Sequence, residues 1–263
     1  MTKLRRTLCR VCRKVRPYAA NAQVCTKWDR LCDRIDVDLL TSFYYERHTA
    51  TPVIDVQDAA RRITANMAEF RSSILRREYE EPDKGPDGYK TSEAINGKIF
   101  HGCGLSTLGR FRAGGEAVMI DRGQHQFNGV APQNIRVELA KAWVETMRRL
   151  DHASSKREIA ATLAYLMVEV FRIHPFFDGN GRTTRLALEQ LAASRGWEMQ
   201  PFSKSANERR RYQRSLPYAH RRRLKRDGYP NDQDCILLSN YIERHLARPL
   251  AAEVEEEPTC GGS

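Results

Sequence analysis

One unbroken stretch holds most of the side chains in this chain that could act together chemically: His174-Pro175-Phe176-Phe177-Asp178-Gly179-Asn180-Gly181-Arg182-Thr183-Thr184-Arg185. His174 is the only group in it suited to take a proton near neutral pH. Gly179, Asn180 and Gly181 tolerate positive φ, so successive backbone N–H groups can point into one concavity, an anion nest. A helix beginning directly afterwards adds its free N–H groups and positive dipole end at the same point. Arg182 and Arg185 share one face beside it. That set fits a polyphosphate. Asp178, set against the positive cluster, fits a Mg²⁺ ligand, because Mg²⁺ is commonly held by one or two carboxylates with phosphate oxygens and water. A helix-end histidine, a glycine loop and a solvated arginine face are each ordinary alone. Their adjacency points to a phosphoryl- or nucleotidyl-transfer site.

Two helices must position this stretch. The upstream one, predicted over 156–173, is apolar almost all round (Ile159, Leu163, Leu166, Met167, Val170), so it should be buried and deliver His174 at its end, where Pro175 forces the chain out. The downstream one is predicted over 182–194. Apolar periodicity predicts further helices over 55–80, 91–102, 135–150, 206–216 and 234–245. Glu81-Pro82-Asp83-Lys84-Gly85-Pro86-Asp87-Gly88 ends the first of these and reads as a loop and a boundary. The only β-like run is Ala117-Val118-Met119-Ile120, so one small hairpin is all the sheet expected.

With 263 residues, 41% hydrophobic and 29% charged, the chain has the composition of a folded protein, one domain with an appendage or two small ones. No apolar run approaches the roughly 18 residues that cross a bilayer, so no membrane role is expected. The N-terminus lacks the apolar core of a signal peptide, and a cytoplasmic protein is expected, any export as an effector proceeding without a classical signal. Cys9, Cys12, Cys25 and Cys32 invite a zinc reading, but the second gap is too wide and no His is near, so free thiols are the preferred reading. The Arg-rich arm over 3–14 is a solvated helix face or an anion-binding tail. The net charge of +11 favours anionic partners. Arg209-Arg210-Arg211, Arg214 and the basic run over 220–226 read as solvated faces flanking a nucleotide site, with nucleic acid or an acidic target surface as alternatives. Tyr212 could help line a base pocket.

The stretch from His174 to Arg185 resembles the signature of the Fic family, His-x-Phe-x-Asp/Glu-Gly-Asn-Gly-Arg-x-x-Arg, and every specified position is present. Upstream, Gly109-Arg110-Phe111-Arg112 and Val118-Met119-Ile120 resemble the family's Gly-x-Tyr-Arg segment and flap hairpin, with Phe111 in place of Tyr and Gly114-Gly115 extra. The resemblance implies an all-α, mainly helical Fic fold with one small β-hairpin flap over the active site. It implies a protein adenylyltransferase that moves AMP from ATP to a Ser, Thr or Tyr hydroxyl of a target protein. His174 would deprotonate the hydroxyl and Asp178 would hold Mg²⁺. Gly179, Asn180 and Gly181 would cradle the α-phosphate, while Arg182 and Arg185 would bind the phosphates that leave as pyrophosphate. Phe176 would anchor the loop by packing. Val118, Met119 and Ile120 would dock an extended target segment by strand addition or, alternatively, only pack.

Gly181 distinguishes the chain from the kinase-like branch of the family, which carries Lys there. UTP or another donor remains an alternative, as does a nucleic-acid-binding module with a non-catalytic Fic fold, although nucleic acid is not the expected partner. A toxin or effector role is expected. Many family members are inhibited by a helix bearing Ser/Thr-x-x-x-Glu-Gly/Asn whose Glu pairs with the second motif arginine, here Arg185. Ser42 with Glu46 and Ser239 with Glu243 are imperfect matches, each followed by Arg; Glu189, four residues after Arg185, is a local competitor for it. Without either match, the enzyme would be constitutively competent or restrained by an antitoxin-like inhibitor. The expected organisation is a basic N-terminal helical segment (1–50), an accessory helix and linker (51–88), a catalytic core (89–230), a C-terminal helix (231–250) and a disordered acidic tail (251–263), in a monomer or dimer.

Overall fold

A serine and a glutamate fix where the central helix starts. Ser155 Oγ accepts the N–H of Glu158 at 3.2 Å, and the Glu158 carboxylate accepts the N–H of Ser155 at 2.9 Å, a reciprocal cap that satisfies donors the first turn would leave bare. The helix then runs from Lys156 to Ile173 as predicted, buried on nearly every side.

The computed structural model describes residues 56–103, 109–113, 119–121, 126–176, 179–200, 206–224 and 230–247. In chain order the elements are α1 (Val56–Leu75), a 3-10 turn (Pro86–Tyr89), α2 (Lys90–Phe100), β1 (Met119–Asp121), β2 (Gln126–Asn128), a 3-10 turn (Pro132–Asn134), α3 (Ile135–His152), α4 (Lys156–Ile173), α5 (Asn180–Ala193), β3 (Glu198–Met199), α6 (Ala206–Leu224), α7 (Asp232–His245) and β4 (Leu246–Ala247). The fold is all-α, and α4 is its axis: α3, α5, α6 and α7 pack around it, while α1 lies across α2 and α5. The core joins Trp143 and Leu150 of α3, Leu163 and Leu166 of α4, Leu188 and Leu191 of α5, Leu216 of α6 and Leu238 and Ile242 of α7. The helix of the expected 231–250 segment therefore shares one apolar interior with the expected core segment, 89–230.

Two helices end away from their predicted limits for physical reasons. The helix predicted over 55–80 stops at Leu75, because Arg77 takes a left-handed conformation (φ 59°). Its N–H donates to Ile74 O at 3.0 Å and that of Glu78 to Ser73 O at 2.8 Å, the paired bonds of a Schellman stop. The helix predicted to end at 216 continues through Pro217 to Leu224. Burial of Leu216, Ala219 and His220 on either side outweighs the missing proline donor. The expected hairpin is the antiparallel pair β1–β2 (Met119 opposite Asn128, Ile120 opposite Phe127), and the fold adds sheet the sequence did not suggest, β3 pairing with the distant β4 (Met199 opposite Leu246). The expected loop over 81–88 is held to α3, with Trp143 Nε1 donating to Asp83 O at 2.7 Å.

Candidate active site

The end of α4 is turned sharply at His174, which adopts φ 51° and ψ 61°, a left-handed conformation that histidine reaches more readily than most residues. Its N–H still donates to Val170 O at 2.8 Å, so the turn begins after the last helical bond. The carbonyls of Ile173 and His174 have no intrahelical donors. Arg112 supplies them: Nε donates to His174 O at 2.7 Å and Nη2 to Ile173 O at 3.3 Å. A cation at the negative end of a helix is electrostatically favoured as well.

One turn earlier, a buried ionic group fastens α4 to α6. Glu169, with no exposed surface, accepts from Arg172 at 2.8 Å and from Arg223 of α6 at 2.8 Å, and Arg172 also reaches Glu138 of α3 at 2.6 Å. His220 sits here with its ring edge-on to Phe171, centroids 5.3 Å apart. Burial first, then the Arg172 and Arg223 charges, push its pKa down to about 4, so it is neutral at physiological pH.

Beyond His174 the loop folds back on a packed aromatic and a double hydrogen bond. Phe176, 1% exposed, lies against Phe111 with centroids 5.3 Å apart, and Phe111 against Tyr89 at 5.8 Å. The Asn180 side chain accepts the N–H of Phe176 at 2.9 Å and donates to its carbonyl at 2.8 Å. Asn180 is therefore the brace of the loop, and what it can offer a ligand is its backbone N–H. Gly179 is the N-cap of α5 with φ 78°, and among the described residues no side chain caps the first-turn N–H groups at the nest. A Cβ at Gly179 would collide with the Phe100 ring, so both the backbone angle and the close approach require glycine.

The two motif arginines occupy different surroundings. Arg182 is buried with its guanidinium over the Phe100 ring, 4.9 Å from the centroid. Arg185 is half-buried, and its Nη1 is 3.5 Å from where a Gly181 Cβ would lie. The competitor Glu189 receives Arg71 of α1 in a bidentate pair at 2.8 and 2.9 Å.

Asp178, Val118, Ser42 and Glu46 lie outside the described residues. Met119 and Ile120 form β1. Ser239 is buried, and Glu243 is two residues before His245, whose carbonyl accepts the N–H of Gln200 at 2.7 Å. This part of α7 thus adjoins the chain leaving α5, at the opposite end of α5 from the motif. Tyr212 packs on Tyr241, centroids 5.9 Å apart, about 12 Å along α6 from His220. Residues the motif alone does not mark are Arg112 and Asn96. Asn96 donates to Thr183 Oγ1 at 3.0 Å and accepts the N–H of Gly109 at 3.2 Å, joining α2, α5 and the segment that carries Arg112. Only Arg112 had a local signal, its place in Gly109-Arg110-Phe111-Arg112.

Solved structures share this fold. The BepC effector of Bartonella tribocorum, solved with bound AMPPNP, is 18% identical over 74% of this chain and 90% of its own, with a TM-score of 0.55. The N-terminal Fic domain of a VirB-translocated Bep effector of Bartonella quintana, solved with ADP, is 19% identical over 74% and 87%, with a TM-score of 0.52. A Fic-domain signalling protein of Bacteroides thetaiotaomicron is 15% identical over 72% and 68%, with a TM-score of 0.54. No curated protein matches the chain in sequence. Residues 89–192 match the Fic/DOC family.

Proposed function

We propose that the protein is a nucleotidyltransferase that moves AMP from ATP to a hydroxyl side chain of a target protein. The observation that carries the reading is the brace between Phe176 and Asn180, which folds the loop so that His174 and the uncapped N-terminus of α5 belong to one compact turn. Bound AMPPNP and ADP in two structural relatives favour a nucleotide donor.

In this reading the first-turn N–H groups of α5 receive the α-phosphate, Gly181 lets it approach the backbone closely, and Arg185 meets the outer phosphates. The target oxygen attacks the α-phosphorus. The bond from that phosphorus to the bridging oxygen breaks, pyrophosphate leaves, and the hydroxyl proton passes to His174. The uncapped helix end and Arg185 suit the anion that a cation would accompany, so Asp178 is assigned as the residue that would hold Mg²⁺. That ion would neutralise charge on the phosphates. Met119 and Ile120, with Val118, are assigned to docking an extended target segment. An effector or toxin role belongs to the same proposal.

The test is to incubate wild type and His174→Ala with Mg²⁺ and α-labelled ATP, UTP, GTP or CTP in bacterial and eukaryotic lysates, then resolve proteins on a denaturing gel. Label on protein with wild type and ATP, lost in His174→Ala, supports the reading. Label only from another nucleotide replaces the donor, and no label from any of them overturns nucleotidyl transfer.

A further inference from the structure

Arg112 performs none of the chemistry assigned above, yet it is 3% exposed. A guanidinium so placed is costly unless its donors are filled. Here Nε serves His174 O at 2.7 Å, and Nη2 serves Val130 O at 2.8 Å and Ile173 O at 3.3 Å. The backbone repeats the pattern. The N–H of Arg112 donates to Pro175 O at 2.8 Å, and the N–H of Val130 donates to Ile173 O at 3.1 Å. Residue 112 leads into the hairpin segment and residue 130 leads out of it. Its two roots are therefore bonded to the backbone on both sides of His174.

Gly129 closes this seat. A Cβ there would lie 2.9 Å from Arg112 Nη2 and 3.2 Å from both His174 Cβ and Ile173 O, so only a bare backbone passes without displacing the arginine or the histidine. His174 itself is held in a left-handed conformation, which is strained for a non-glycine residue and persists where surrounding bonds over-determine it.

We propose that Arg112 is the positioning residue for His174. Its guanidinium holds the turn that aims the imidazole and ties that turn to both roots of the hairpin, so a target segment seated on the hairpin and the base that takes its proton are carried by one clasp. This rests on the nucleotidyl-transfer reading. Its signature is a loss in transfer without a matching loss in nucleotide binding, because the clasp grips the His174 side of the loop and the nest is formed by α5.

Arg112→Lys retains charge but cannot fork across several carbonyls. Gly129→Ala adds one methyl group and is the milder probe should the lysine variant unfold. For both, ATP affinity is measured by calorimetry, kcat and KM by label transfer, and the His174 imidazole signals by NMR without nucleotide, assigned by their absence in His174→Gln. The expected result is shifted imidazole signals and a fall in kcat on the order of 10²-fold, with ATP affinity unchanged. Unmoved imidazole signals in either folded variant overturn the proposal. So does ATP affinity falling in step with kcat, which would put Arg112 at the phosphates. If wild type labels no protein, the transfer reading fails, while the imidazole signals still decide whether the clasp positions His174.

Discussion

The side-chain amide of Asn180 bonds both backbone polar groups of Phe176, its oxygen accepting the N–H at 2.9 Å and its nitrogen donating to the carbonyl at 2.8 Å. Both are buried, so truncation leaves a donor and an acceptor without water. Asn180→Ala is expected to lose about 2–3 kcal/mol of stability and to weaken ATP binding as the nest opens. Asn180→Asp keeps the acceptor and should fall between. Urea unfolding with calorimetry decides it, and wild-type values for both quantities in Asn180→Ala would refute the brace.

Gly179 is constrained twice, by φ 78° and by the Phe100 ring where a Cβ would go. Gly179→Ala should therefore destabilise by about 1–3 kcal/mol. In a double-mutant cycle Phe100→Ala should relieve the collision and leave the backbone part. Strict additivity would show that the ring contributes nothing to the requirement.

The Arg71–Glu189 pair is the polar fastening of α1 to α5, and its carboxylate is buried. Arg71→Ala leaves that charge uncompensated, and because Arg71 itself is partly exposed the cost should be about 1–3 kcal/mol. Adding Glu189→Gln should recover part of it. Equal melting temperatures for Arg71→Ala and wild type would remove the pair from any account of α1 docking.

His220 makes stability depend on pH. Its folded pKa of about 4 lies below the unfolded 6.5, so between these values the unfolded chain holds more protons. Stability is then fully present above the unfolded value and is lost as pH falls towards 4, by up to about 3 kcal/mol. His220→Gln should flatten this part of the profile. Urea midpoints at about pH 7 and about pH 4.5 measure it, and identical slopes for the two proteins would refute the assignment.

What was legible in the sequence follows how local the cause is. Both ends of α4 could be read because an apolar run fills the helix and Pro175 directly follows it. The motif could be read because His174, the glycines and the arginines are contiguous. Arg112 could not be assigned a role, since its carbonyl partners lie 18 to 62 residues away. Arg77 hid the end of α1 by taking a conformation more often occupied by glycine. Pro217 suggested a stop that the burial of Leu216 and Ala219 overrode. The pairing of β3 with β4 joins segments too short to show any alternation.

That last pairing bears on how the protein can be dissected. Met199 opposite Leu246, with Gln200 bonded to His245, sews the exit of α5 to the end of α7, and α7 lies along α4. The family match ends at residue 192, well short of both stitches. A fragment trimmed to the recognisable stretch would strip Leu238, Tyr241 and Ile242 from the core and bare the flank of the helix that carries His174. The smallest piece worth expressing is set by that seam and reaches at least Ala247.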